Sequence, residues 1–319
     1  MNEVEPGDIL DGFLIVRVLA RSAMGSLYFA RQQRTGHNFV LKVPHLQLES
    51  DVVFYSRFQR EEQIGLRLDH PAIAKVLPVP DKSRPFIVME HVEGRTLWET
   101  VRTRRPQPVS AVLDVGQQVC AALAYMHREG VVHRDLKPEN IVVDAAGAVH
   151  IVDFGIALDF SARRMTWGRL SMRLGTPEYM APQRIHGKRG DGRTDLYALG
   201  VILYELLSGA SPYEATDPVR LARIKCKQDP RPLKELAPDV DPAVSDAVMR
   251  ALARDPDDRY SDAEEMLAVL EEPSRIHDLA SRRSARPGAP DSDHGRGLVW
   301  FMMFCVTLLG TLWIAVGFR

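Results

Sequence analysis

Apolar positions change their period once along the chain, near residue 93. Between residues 9 and 91 they fall in short or alternating runs: FLIVRVL (13–19), SLYFAR (26–31), NFVLKV (38–43) and RPFIVMEH (84–91). That period of two belongs to half-buried strands. One helical stretch, about residues 53–68, interrupts them. After Glu93-Gly94 the period becomes helical: residues 109–128 carry apolar side chains on one face, and 194–207 are apolar nearly all round, as in a central buried helix. The expectation is an α+β chain of two lobes, a β-rich one over 9–91 with one main helix and a larger α-helical one over 92–273.

The C-terminal part follows neither pattern. Residues 274–297 are rich in Ser, Arg, Pro and Gly, the composition of a flexible linker. Residues 298–318 contain no charge, and about 21 helical residues reach about 31 Å, the thickness of a bilayer's hydrocarbon core. This predicts one transmembrane helix packed in membrane lipid. Arg282, Arg283, Arg286 and Arg296 precede it and only Arg319 follows, so the positive-inside rule keeps the large N-terminal part cytoplasmic. With one residue beyond the span, no external sensor domain is expected.

Composition narrows the function. A chain of 319 residues can bury a sizeable core, and 41 Lys+Arg against 42 Asp+Glu give no global attraction for nucleic acid, so none is expected as a partner. Cys120, Cys226 and Cys305 are odd in number and far apart, which fits buried apolar residues better than disulfides or a zinc site. The acidic start, Met-Asn-Glu-Val-Glu, lacks the basic-then-apolar pattern of a secretory signal.

The candidate chemistry lies in His133-Arg134-Asp135-Leu136-Lys137-Pro138-Glu139-Asn140, with Asp153-Phe154-Gly155 after it and Lys42 in a strand before it. The first string resembles the catalytic loop of the eukaryotic-type (Hanks-type) Ser/Thr protein kinase family, H-R-D-x-x-x-x-N. The membrane anchor after a basic linker further resembles the bacterial transmembrane members. The resemblance covers about residues 9–273 and implies the bilobal protein kinase fold.

It also implies roles. Asp135 would take the proton of a substrate hydroxyl, Lys137 would contact the γ-phosphate, and Asn140 and Asp153 would hold Mg²⁺, with Mn²⁺ possible, alongside ATP. Lys42 would contact the α- and β-phosphates and pair with Glu61, with Glu62 as the alternative. Leu19, Ala20, Ser22, Gly25, Leu27 and Val40 would cover the nucleotide. Met89 would stand at the gatekeeper position, with the backbone of Glu90 and Val92 binding adenine. His133 is expected to be a packed structural residue beneath Phe154, and Asp195 a buried anchor for the catalytic loop's backbone.

Gly175-Thr176-Pro177-Glu178-Tyr179-Met180-Ala181-Pro182 resembles the end of the activation segment, and with Lys-Pro-Glu after Asp135 points to protein Ser/Thr acceptors. Arg134 would answer a phosphate on that segment. Ser161, Thr166 and Ser171 are its hydroxyl candidates, Thr166 and Ser171 being preferred for autophosphorylation. A homodimer is possible, although the 298–318 span carries no Gly-x-x-x-Gly pattern.

Two departures stand out. The nucleotide loop, expected as Gly-x-Gly-x-x-Gly, reads Ala20-Arg21-Ser22-Ala23-Met24-Gly25, which should stiffen the flap over the phosphates. Gln183 replaces the family's glutamate opposite Arg259, which predicts a weaker lobe or a substitute acid, Asp257 or Asp258. These departures support an alternative reading, a membrane-tethered pseudokinase acting as a scaffold.

Overall fold

A computed structural model describes residues 3–22, 24–153 and 177–276. These residues belong to one compact unit, 1–276. Residues 277–319, with most of the linker and the transmembrane span, and Phe154, Ser161, Thr166 and Ser171 lie outside the described residues.

The N-terminal lobe is a six-stranded antiparallel sheet: β1 (Ile9–Leu10), β2 (Phe13–Arg21), β3 (Gly25–Gln32), β4 (Asn38–Pro44), β5 (Val76–Leu77) and β6 (Ile87–Glu90), in the order β1-β2-β3-β4-β6-β5. Alternation sends Phe13, Ile15, Tyr28, Ala30, Leu41 and Val43 into one core with Phe86 and Val88. The short helix α1 (Leu46–Glu49) leads into α2 (Val52–Arg67). Asp51 caps α2, its Oδ1 accepting from Val53 N at 2.9 Å and Phe54 N at 3.1 Å, and so starts the helix one residue before the predicted boundary.

The second lobe opens with β7 (Arg95–Thr96), α3 (Leu97–Val101) and α4 (Val109–Arg128), followed by β8 (Ile141–Val143) and β9 (Val149–Ile151), which complete the sheet β7-β8-β9. Its axis is the helix Arg193–Ser208, every residue of which from Thr194 to Leu207 is buried. The helix stops at Gly209, whose φ of +70° suits glycine. Around it lie α4 and the helices Pro242–Ala251 and Ala263–Glu271. Among the described residues, α4 is the one helix long and apolar enough to cross a membrane, and it is built into this core with Val119, Cys120, Ala122 and Leu123 buried.

Backbone hydrogen bonds stitch the lobes together behind the cleft. Ala74 N donates to Ile151 O and Ile151 N to Ala72 O, both at 2.9 Å, tying the exit of α2 to β9. His70 stacks on Tyr125 of α4 with ring centroids 5.3 Å apart, and Asp69 N donates to the Tyr125 hydroxyl at 3.0 Å.

Candidate active site

Helical periodicity decides which glutamate faces the cleft. Phe54, Phe58, Glu61 and Gly65 share the buried face of α2, so Glu61 points where an apolar side chain would normally go. Lys42 on β4 meets it there: Nζ lies 2.5 Å from Glu61 Oε1 and 2.8 Å from Asp153 Oδ1. Glu62 turns to Lys82, which also donates to Phe86 O at 2.6 Å. Arg84 likewise reaches Glu49 of α1, Nε to Oε1 2.9 Å. The 80–86 loop thus clasps α1 and α2 onto the sheet, a function with no local sequence signal beyond the doubled Glu-Glu.

One cation serving two carboxylates, Glu61 buried and Asp153 half-buried, sets their electrostatics. Burial works to lower Lys42, but Asp153 and Glu61 hold it above its usual value. Glu61 is pushed up to about 7, because burial and the neighbouring Asp153 outweigh its share of Lys42. Asp153 moves the other way: burial would raise it, and the Lys42 charge and hydrogen bond keep it low.

The catalytic-loop residues are gathered by backbone contacts. Asp195, 1% exposed, accepts from His133 N at 2.9 Å, Arg134 N at 2.8 Å and His127 Nε2 at 2.9 Å. Burial would raise its carboxyl, and the His127 hydrogen bond leads the contacts that hold it below the usual range. Arg134 sits at φ +65°, a left-handed conformation in which non-glycine residues cost energy; Asp195 and Arg184, whose Nη1 donates to Arg134 O, hold it there. His133 is fully buried, as expected, and its Nδ1 accepts from Asp135 N at 3.3 Å.

Around that turn the reactive groups converge. Lys137 Nζ lies 2.8 Å from Asp135 Oδ2; burial works to lower this lysine and the Asp135 carboxylate raises it above its usual value. Asn140 donates its amide nitrogen to Asp135 O at 2.9 Å, which leaves the amide oxygen to offer a cation. Val152 N donates to Asn140 O at 3.0 Å and so sets Asp153 beside Asn140. This pair of hard oxygen donors on adjoining turns fits Mg²⁺.

Sheet register places the nucleotide-covering residues. Ala20, Leu27, Lys42 and Ile87 are successive cross-strand partners, and in the next row Val40 faces Met89. Met89 is 5% exposed, whereas Leu19 is 38% exposed at the rim. The N–H of Glu90 is taken by Lys75 O at 2.8 Å, which leaves Val92 as the backbone donor of the two predicted adenine contacts. Neither Ala20 nor Ser22 has a positive φ, so this hairpin backbone does not require glycine at either position. Ser22 instead closes the turn, with both N and Oγ donating to Gly25 O at 2.9 Å. Gly25 is required for another reason: a Cβ there would run into Val43 O and come within 2.9 Å of Pro44 Cα.

Of the two substitute acids expected beside Arg259, one is engaged elsewhere. Asp257 pairs with Arg193 at 2.6 Å. Arg259, fully buried, donates to Gln183 Oε1 at 3.0 Å and to the carbonyls of Ala253 (2.7 Å), Arg193 (3.0 Å) and Arg254 (3.1 Å), beneath the Tyr197 ring at 4.7 Å. Carbonyl dipoles replace the missing charge.

Comparison with known proteins agrees with this geometry. The model of the protein kinase domain family matches residues 13–270. The serine/threonine-protein kinase PknB of Mycolicibacterium smegmatis is 35% identical over 278 residues, covering 86% of this chain and 44% of that protein. A probable serine/threonine-protein kinase of Streptomyces coelicolor, SCO3848, is 36% identical over 259 residues, 80% of this chain and 38% of that protein. The chain therefore spans less than half the length of these relatives. Among solved structures, the Mycobacterium tuberculosis PknI kinase domain is 29% identical and covers 85% of this chain and 100% of its own, with a TM-score of 0.65. A bilobal fold, a lysine shared by two cleft carboxylates and a family match over most of its length establish that this chain belongs to the protein kinase family.

Proposed function

We propose that the chain is a membrane-anchored Ser/Thr protein kinase that moves the γ-phosphoryl group of ATP to hydroxyls of proteins. The observation that carries this is the assembled cleft: Lys42 bound to both Glu61 and Asp153, with Asp135 held to Lys137. A scaffold has no use for a half-buried cation shared by two carboxylates, since such groups are costly to desolvate. Phosphoryl transfer needs little covalent help from the protein and much positioning of charge. Lys42 would orient the α- and β-phosphates, Asp135 would accept the acceptor hydroxyl's proton, and Lys137 would meet the γ-phosphate. Asn140 and Asp153 would hold Mg²⁺, which supplies charge neutralisation at the phosphates. Domain limits of 9–273, 274–297 and 298–318 for kinase, linker and membrane span complete the reading, with activation by autophosphorylation at Thr166 or Ser171.

The test is labelling of casein by the detergent-purified full chain with radiolabelled ATP and Mg²⁺. The native chain should label itself and casein, while Asp135→Asn and Lys42→Ala should fall by about 100-fold or more. Native labelling no higher than that of the two variants would sink the reading, and recovery of the chain in the soluble fraction of cells would remove the anchor.

A further inference from the structure

The segment that follows the undescribed stretch, Pro177 to Ala181, lies in neither helix nor strand. No ladder of backbone hydrogen bonds fixes it, so side chains from below must. One does so at unusual cost. Lys225, on the helix Pro218–Lys227, is fully buried and donates Nζ to the carbonyls of Pro177, at 3.0 Å, and of Glu178. It lies over the rings of Tyr197 and Tyr213, at 5.0 and 5.8 Å from their centroids. At the next residue, the Tyr179 hydroxyl donates to Glu205 Oε2 at 2.7 Å. Met180 then packs with Ile185, Ala222 and Cys226.

We propose that Lys225 is a positioning residue for the protein acceptor: it holds the Pro177–Ala181 platform at the height where a peptide can present its hydroxyl to Asp135. This rests on the kinase reading above. A buried ammonium is expensive unless its donors are used. Burial lowers Lys225 to about 7, with Glu205 and Glu178 opposing, so an apolar side chain of equal length would be cheaper in this packed site. The position therefore answers to its two carbonyl contacts more than to packing. The platform also leads into the helix Pro182–Ile185, whose Arg184 donates to Arg134 O of the catalytic loop. A shift of the platform would displace the acceptor while leaving Lys42, Glu61 and the adenine contacts untouched.

The experiment compares the full native chain with Lys225→Met, which keeps the stem and removes the donors, and Lys225→Arg, which restores donors. Hydrogen exchange is read over 177–182 and over 39–92, and KM is measured separately for casein and ATP. Lys225→Met should speed exchange in 177–182 alone and raise the casein KM by about tenfold, with the ATP KM within about twofold of native; Lys225→Arg should recover part of both. Unchanged exchange in 177–182, or casein and ATP KM rising together, would overturn the proposal. Native labelling no higher than that of Asp135→Asn would overturn the kinase reading instead, and exchange over 177–182 would still decide whether Lys225 holds the platform.

Discussion

Two buried charges in the helical lobe, Asp195 and Arg259, are satisfied in opposite senses and for different ends. Asp195 is an anion surrounded by N–H donors, two of them from the backbone of His133 and Arg134. Arg259 is a cation surrounded by three carbonyls and the amide oxygen of Gln183. Fixed backbone dipoles contribute in both places, beside the His127 ring at Asp195 and the Gln183 amide at Arg259, which is efficient where water is excluded. The difference lies in what each holds. Asp195 restrains a left-handed turn one residue from Asp135, whereas Arg259 braces the helix Pro182–Ile185 and the central helix against the 253–259 loop. Damage at the first should appear as lost rate, and at the second as lost stability.

The largest effect expected is at Asp195. Asp195→Asn puts an amide where three donors converge, and freeing the turn at Arg134 should lower kcat by about 100-fold. The same variant carries a pH signature. Because the folded carboxyl titrates below its usual value, its stabilisation is complete above the ordinary aspartate range and is lost as pH falls through the folded value. Urea midpoints from pH 6 downward should therefore decline less steeply for Asp195→Asn than for the native chain. A variant with native kcat would break the contrast.

Next comes Arg259→Met, which takes the donor away from four acceptors, the buried Gln183 Oε1 and three half-buried carbonyls. It should destabilise the lobe by about 3 to 5 kcal/mol and lower the thermal midpoint by about 10 °C, with the ATP KM unchanged. A midpoint within about 2 °C of native would show that the carbonyl cradle contributes little.

The smallest effect sharpens the comparison most. Gln183→Glu supplies the charge the family pattern expects and removes a buried amide nitrogen, Gln183 Nε2, that has no acceptor among the described residues. Charge-assisted hydrogen bonds are about twice as strong as neutral ones, so a gain of about 1 kcal/mol, or about 2 °C, is expected. A loss would mean that the dipoles already balance Arg259 and a carboxylate overfills the site.

Legibility differed between regions for a physical reason. The α4 boundaries and the buried central helix followed from apolar period, because one-sided or all-round burial must be written in residue type. Asp135, Asn140, Asp153 and Lys42 could be singled out because the proposed phosphoryl transfer asks for particular groups in a particular order. The choice between Glu61 and Glu62 needed the phase of α2 relative to its buried face. The roles of His127, Arg184, Lys82 and Lys225 left no trace, since each acts on backbone atoms or on residues 15 or more positions away in the sequence.

Local chemistry and periodicity therefore specified the lobes, the order of the reactive groups and the departures at Ala20, Ser22 and Gln183. Long-range packing set how those departures are absorbed. A serine hydroxyl closes the phosphate hairpin, and carbonyls from three separate residues surround Arg259. Backbone groups are the same at every position, so no residue type announces which of them will be turned toward a buried charge; only the folded arrangement does.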